Sequence, residues 1–347
     1  MKESVKPLGV AIIGLGRMGR LYARLVHESA MTRLVALCGR DRESTRELAE
    51  EYGVQQYTTQ DIDAMLAAHT GIEAVIVATS EWAHVAPVMA ALDAGKHVLV
   101  EKPMALSPTE ANEMVARAGQ AGVHLMVCHS LRFDLRFAAA HQAVATGAVG
   151  EILHLYARRN ASPAAADRVI GRFPLPYWLM PHDIDMMLWT ANSPVQKVMA
   201  YSRSGGSQRV DFIIAVLTFA SGAIGVIESS WGTPGRGQLL NELFTVRGTA
   251  GAVEVVGNEN GVAVYHAGDN TGNNTDGITE YPDTSYTPII HDQVDGIFRR
   301  LLSHFAGVVR GQFPAVITGQ DGLAALRVAE AIARSLAEGR EIELVRQ

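Results

Sequence analysis

Up to about residue 128, short apolar runs alternate with longer stretches in which apolar positions recur every three or four residues. The runs at 8–13, 33–38, 74–78, 97–100 and 124–128 are nearly continuous in Val, Ile, Leu and Ala, the pattern of strands buried on both faces. Between them, 18–28, 44–52, 85–94 and 108–121 carry helical periodicity. Ser107 followed by Pro108 and Glu110 marks one helix start, a capping hydroxyl before Pro at the first helical position. Beyond residue 128 the pattern predicts a helix at 137–146, a strand at 151–158, a polar Pro- and Ala-rich stretch at 162–176 and a helix at 182–190. Strands then follow at 195–202, 211–219, 223–231, 242–247, 252–256 and 262–266, separated by turn residues, with a surface loop at 268–277. Helices near 293–309 and 320–338 close the chain, and there is no internal repeat. The expected architecture is an α/β Rossmann domain over 1–128 and an α+β domain over 129–347, the latter a large, mostly antiparallel open sheet with helices on one face.

Composition adds mainly exclusions. The 347 residues suit two domains, and 48% hydrophobic against 19% charged is ordinary globular material. Lys plus Arg number 30 against 36 for Asp plus Glu, a net charge of -6 with no dense basic run, which argues against a nucleic-acid surface. The apolar stretch 212–227 is broken by Ser221, Gly222 and Gly225 and reads as two strands, not as a membrane span. With no secretory pattern at the start, a cytoplasmic protein is expected. Cys38 and Cys128 stand in apolar runs outside any CxxC or metal-ligand spacing, so they read as small buried hydrophobes and no metal site is expected.

The first chemical signal is Gly-Val-Ala-Ile-Ile-Gly-Leu-Gly-Arg-Met-Gly-Arg at 9–20, a GxGxxG between the first strand and the first helix. Gly14 permits the tight turn, Gly16 lets a pyrophosphate approach the backbone, and Gly19 lets helix and strand pack, while Arg17 and Met18 open the helix whose N–H groups face the phosphates. NAD enzymes usually carry Asp or Glu about 20 residues further on, at the end of the second strand. Here that place is Gly39, followed by Arg40. Without the carboxylate nothing repels a 2′-phosphate, and Arg40 can pair with one, with Arg42 and Ser44 as helpers, so NADP is favoured over NAD. The alternative is that Asp41 takes the ribose hydroxyls and Arg40 is merely solvated.

With these residues in view, the chain resembles the Gfo/Idh/MocA family of glucose–fructose oxidoreductase and inositol dehydrogenase, from about Leu8 to Leu344. Its most specific element is the 94–103 run Ala-Gly-Lys-His-Val-Leu-Val-Glu-Lys-Pro, similar to the family strand that ends in Glu101-Lys102-Pro103. Val77-Ala78-Thr79-Ser80 with His84 resembles the preceding strand and loop, although Ser80 stands where Pro is usual. Leu131-Arg132-Phe133-Asp134, Pro181-His182-Asp183-Ile184-Asp185 and Gly319-Gln320-Asp321-Gly322 resemble three later family segments. The resemblance implies Thr79, Ser80, His84, Glu101 and Lys102 at the cofactor, and Lys102 and His182 at the reacting carbon. That assignment makes chemical sense: loss of hydride from a carbinol leaves a hydroxyl proton for a near-neutral base such as His182, and a Lys102 ammonium can steady the developing alkoxide. It also implies a homodimer or homotetramer through the second-domain sheet, which the alternating apolar residues of 212–217 suit.

One departure stands out. The family commonly places Asp four residues before the catalytic His, and here that residue is Trp178. Asp183 and Asp185 are close by, but their offsets of one and three residues turn them elsewhere; Asp185 is either an orienting or substrate contact or a structural helix residue. Further substrate candidates are Trp178, which with Tyr177 can stack on a sugar's apolar face but would also suit a less hydroxylated substrate, His129, after the last strand of the first domain, and Arg158, with Arg159, Asn160 and Arg132 as weaker ones. The function expected is NADP-preferring hydride transfer at a carbinol carbon of a sugar, cyclitol or related polyol. Its rivals are the same chemistry on an imine, amino acid derivative or glycoside, and a non-catalytic dinucleotide-binding regulator.

Overall fold

The computed structural model describes residues 6–161, 174–204, 212–231, 241–257, 264–265, 279–280 and 283–344. The polar stretch at 162–173 and the loop expected at 268–277 lie outside them. The chain divides into two compact units, one of Met1–Phe133 with Ile289–Glu330, the other of Asp134–Pro288 with Ala331–Gln347.

The first unit begins β1 (Leu8–Ile13), α1 (Arg17–Glu28), β2 (Thr32–Gly39), α2 (Arg42–Tyr52), β3 (Gln55–Thr58) and α3 (Ile62–Ala68). It continues through β4 (Ala74–Val77), α4 (Val85–Asp93), β5 (His97–Val100), α5 (Pro108–Ala121) and β6 (Leu125–Val127). The six strands pair in parallel in the order β3-β2-β1-β4-β5-β6. Strand order therefore reverses between β1 and β4, the crevice where doubly wound sheets bind ligands. The capping of α5 follows expectation, with Ser107 accepting from the Thr109 N–H. β3 and α3 escape the hydrophobic pattern because β3 is a polar edge strand and α3 spans seven residues.

The second unit contains α6 (Leu135–Ala145), β7 (Ile152–Asn160), α7 (Leu175–Trp178), α8 (Pro181–Ala191), β8 (Val195–Arg203), β9 (Phe212–Phe219) and β10 (Ile224–Ser230). After β11 (Asn241–Gly248) and β12 (Ala252–Val256) comes the short pair β13 (Val264–Tyr265) and β14 (Thr279–Glu280). The hairpin β15 (Ile289–Ile290) and β16 (Gln293–Val294) then leads into α9 (Ile297–Val309), α10 (Gly319–Glu338) and β17 (Ile342–Glu343). The main sheet has the order β12-β11-β7-β10-β9-β8-β17 and is antiparallel except where β10 pairs in parallel with β7. Strand alternation gives it two distinct faces. Leu155, Ala157, Ile213, Ala215, Leu217, Ile227 and Phe244 are buried on the face that α8 covers. The register aligns Tyr201, Ile214, Glu228, Arg158, Leu243 and Val256 in a row on the opposite face.

The boundary expected at 128/129 needs correction in two ways. The 3-10 turn Ser130–Phe133 stays with the first unit, and the segment Ile289–Glu330 returns to it. Leu301, Leu302, Phe305 and Ala306 on the apolar side of α9 share one buried cluster with Leu8, Tyr22 and Leu25. Arg310 fixes the return, donating to both carboxylate oxygens of Glu73 (2.6 and 3.0 Å) while Glu73 accepts the Gly9 N–H.

Candidate active site

The carboxyl ends of β1, β4 and β5 lie side by side, since Ile13 is in register with Val77 and Val77 with Val100. The glycine turn, the Thr79 loop and Glu101-Lys102 therefore share one sheet edge. Gly14 has φ +94° and a Cβ there would stand 2.4 Å from the Thr79 nitrogen; one on Gly19 would stand 1.8 Å from the Gly14 carbonyl oxygen. A Cβ on Gly16 would meet nothing within 4 Å, so the turn is tight on its protein side and open on the other. Helix α1 starts there with no side-chain cap and no acidic residue in its first turn, leaving its N–H donors for an anion. These features fit a dinucleotide pyrophosphate. Arg17 is exposed, whereas the Met18 side chain packs on the core, so only its backbone faces the turn.

At the end of β2 the structure explains Gly39. A Cβ there would lie 2.2 Å from Thr45 Oγ1, and Thr45 is buried with its hydroxyl donating to the Asp41 carbonyl. No side chain, and so no carboxylate, fits at 39 while Thr45 keeps this place. The Asp41 carboxylate caps α2, accepting the Ser44 N–H at 2.7 Å. Arg40 and Arg42 are exposed beside it, and Arg20 reaches from α1 to donate to Ser44 Oγ. Sequence reading missed Thr45 and Arg20, because neither belongs to a motif.

The loops after β4 and β5 are tied together from within. Thr79 Oγ1 donates to the Ala83 carbonyl, and His84 is fully buried with Nδ1 2.8 Å from the Pro103 oxygen and Nε2 3.2 Å from that of Thr79. Burial lowers its pKa, against those two carbonyls. His84 was expected at the cofactor; its ring lies between the Pro103 and Thr79 carbonyls, to one of which its single N–H can donate, and there it braces the loop that carries Thr79 and Ser80 against the one that carries Lys102. Glu101 is held by Tyr22, whose hydroxyl donates to Oε1 at 3.0 Å and lies 2.9 Å from Cys128 Sγ, while Oε2 accepts the Lys102 N–H. Burial, with the neighbouring thiol and carboxylate, drives the Tyr22 pKa well up, so the phenol stays a proton donor. The sequence signal for Tyr22 was a hydroxyl on the apolar face of α1, which needs a buried partner. His129 is buried just past β6. Arg132, one of the weaker substrate candidates, is buried and donates to the Val316 carbonyl and to Asp321, joining two of the family-like segments.

In the second unit, His182 is half-buried near the start of α8. Asp183 points to the sheet, where Arg159 donates to both its oxygens (2.9 and 3.1 Å) and also to Glu242, which accepts from Tyr286 as well. Burial opposes the Arg159 charge, but Asp183 and Glu242 outweigh it and hold its pKa above the ordinary range. Arg159 is thus an internal counter-ion. Arg158 is corrected more sharply: it shares a face with Tyr156 and Asn160, both donors to Glu228, and that face is turned away from α8 and His182. Asp185, buried, lies three residues after His182, and that spacing on a helix puts the two on neighbouring positions of one side. Trp178, at the end of α7, stands 5.1 Å ring to ring from Trp231, inclined at 43°. Among the described residues, no group of three His, Cys, Asp or Glu side chains is arranged to hold a metal, and no helix is long and apolar enough to cross a membrane.

Comparison with known proteins agrees with this geometry. The GFO/IDH/MocA model for an oxidoreductase family with an NAD-binding Rossmann fold matches residues 8–129, and the GFO/IDH/MocA C-terminal domain matches 137–254. Myo-inositol 2-dehydrogenase of Thermotoga maritima is 28% identical over 344 residues, which is 96% of this chain and 98% of that protein. 1,5-Anhydro-D-fructose reductase of Ensifer adhaerens is 26% identical over 348 residues, 96% of this chain and 97% of its own. The crystal structure of GenD2 from gentamicin A biosynthesis in complex with NAD matches at a TM-score of 0.83 and 26% identity, covering 99% of this chain and 97% of that one.

Proposed function

The chain belongs to the GFO/IDH/MocA oxidoreductase family, and from that premise we propose that it transfers hydride at a carbinol carbon of a sugar, cyclitol or related polyol, with NADP preferred over NAD. When bound, the nicotinamide cofactor gives or accepts the hydride. His182 takes the hydroxyl proton in the oxidative direction and returns it in the other, and the Lys102 ammonium steadies the negative charge that develops on the same oxygen. Lys102 at the carboxyl end of β5, on the sheet edge that holds the glycine turn, is the observation that carries this reading. Tyr22 supports it by fixing the carboxylate next in the chain to Lys102.

For the cofactor, Gly14, Gly16, Gly19 and the backbone of Arg17 and Met18 would hold the pyrophosphate. Arg40, with Arg42, Ser44 and Arg20, would hold the 2′-phosphate. The preference for NADP rests on Thr45, which fills the room a ribose-binding carboxylate at 39 would need, and on Asp41, already used as a helix cap. The half-exposed apolar residues Ile214, Val216, Val226 and Leu243 on the sheet face away from α8 support a homodimer or homotetramer through that face.

The test is an initial-rate screen at the nicotinamide absorbance, with NADP and NAD in parallel against sugars, cyclitols, aldonates and amino acids. Turnover of a polyol with NADP favoured is expected. Preference for NAD would overturn the cofactor choice alone, and tight cofactor binding without turnover of any polyol would overturn the substrate class.

A further inference from the structure

Four residues before His182, within the second unit, the chain places an aromatic side chain, Trp178. Helix α7 ends at Trp178, yet Leu179 and Met180 keep right-handed helical backbone angles before α8 begins at Pro181. Trp178 therefore stands four residues before His182, across a junction that stays in the right-handed helical region. Asp183, the carboxylate next to His182, is spent on Arg159.

The Trp178 ring is held in place. Trp231, just past the end of β10, is 5% exposed and packs against it, whereas Trp178 keeps part of its surface open. A buried indole behind a half-exposed one makes a stiff apolar wall. An indole offers one N–H donor and no acceptor, so a hydroxyl laid on its face finds no partner for its proton. A C–H face or an alkyl group laid there loses nothing and gains contact area.

We propose that Trp178, backed by Trp231, is a specificity-determining residue of the substrate site, and that it selects a polyol ring presenting a C–H face or an O-alkyl group there in place of a free hydroxyl. This rests on the polyol reading above. The substrate class that follows is a glycoside or an O-alkylated or deoxygenated cyclitol, oxidised at a hydroxyl elsewhere on the ring.

The experiment compares kcat/KM for an inositol and its mono-O-methyl ether, and for glucose and methyl β-D-glucopyranoside, in the wild type, Trp178→Phe and Trp178→Asp. The wild type is expected to favour the methylated member of at least one pair by about tenfold, the scale of a small apolar group in an apolar site. Trp178→Phe keeps a ring face and should keep the preference. Trp178→Asp should reverse it by roughly a hundredfold, because a carboxylate accepts from the hydroxyl that the indole could not. If the Asp variant lacks a cooperative melt, Trp178→Gln replaces it. Equal ratios in all active variants would overturn the proposal and leave Trp178 as packing. A second readout needs no turnover: methyl β-D-glucopyranoside should quench tryptophan emission in the wild type and much less in Trp178→Phe. Quenching without turnover of any polyol would overturn the hydride-transfer reading but support this one; turnover without quenching or preference would do the opposite.

Discussion

The two units of this chain build their chemical surfaces from different materials. Around the glycine turn the backbone does the shaping, and the side chains matter by their absence: Gly14, Gly19 and Gly39 are places where a Cβ would strike a neighbour at 2.4, 1.8 and 2.2 Å. Around His182 the shaping is done by buried side chains, with Arg159 between Asp183 and Glu242 and Trp231 behind Trp178. A backbone-built site announces itself as a spacing of glycines. A side-chain-built site is assembled from positions far apart in sequence, so a local motif such as 181–185 reveals only part of it.

The contrast can be broken by substitutions on either side. If the chemistry is carried by the side-chain-built unit, His182→Asn should lower kcat by about 10²–10⁴-fold, the usual worth of a general base, while the dissociation constant of the cofactor barely moves. Stopped-flow turnover and equilibrium cofactor titration check the two halves of that statement, and a cofactor affinity that collapsed with kcat would contradict it. Arg159→Met leaves two carboxylates buried without their counter-ion and should cost about 3–5 kcal/mol of stability in denaturant melts. A loss below about 1 kcal/mol would show that Tyr286, together with Arg136, whose guanidinium lies 4.0 Å from the other oxygen of Glu242, suffices for that carboxylate and that the network shapes less than its burial suggests.

On the backbone-built side, Gly39→Asp alone should destabilise by collision with Thr45. Paired with Thr45→Ala, it should shift the NADP-to-NAD ratio of kcat/KM toward NAD by about 10–100-fold, the scale of one charge-assisted hydrogen bond. An unchanged ratio would remove Gly39 from cofactor choice. The smallest effect concerns pH. The Arg310 hydrogen bonds, with help from the Gly9 N–H and against partial burial, pull the Glu73 carboxyl down to about 2 from its ordinary 4.5. Its contribution is therefore complete above the unfolded value and fades as pH falls through that interval. Thermal melts of Glu73→Gln should lose that part of the acid slope; an identical slope would show that Arg310 does not depend on the charge.

What the sequence made legible follows the same division. The parallel sheet, the glycine turn and the Ser107 cap are local patterns, and they stand within a residue or two of where the periodicity put them. The polar strand Gln55–Thr58 had no apolar run to reveal it. The helix expected from 293 starts at Ile297, because 289–294 fold as a hairpin whose turn sets His291 and Asp292 at positive φ without a glycine to signal it. Arg158 and Arg159 looked equivalent as neighbours in sequence; a strand sends them to opposite faces, and only the pairing register says which face meets α8. His84 matched a family motif correctly, but a motif does not tell whether a ring points at a ligand or at two carbonyls behind it.

The return of Ile289–Glu330 to the first unit also bears on biosynthesis. Leu301, Leu302 and Phe305 complete the cluster that starts with Leu8 and Tyr22, so a nascent chain that has already emitted every residue of the nucleotide fingerprint still lacks part of the core beneath it. The ribosome must make Asp134–Pro288, the larger part of the other unit, before the first can close. Until Ile289–Glu330 is made, the apolar flank of α1 lacks the cover that Leu301, Leu302 and Phe305 give it.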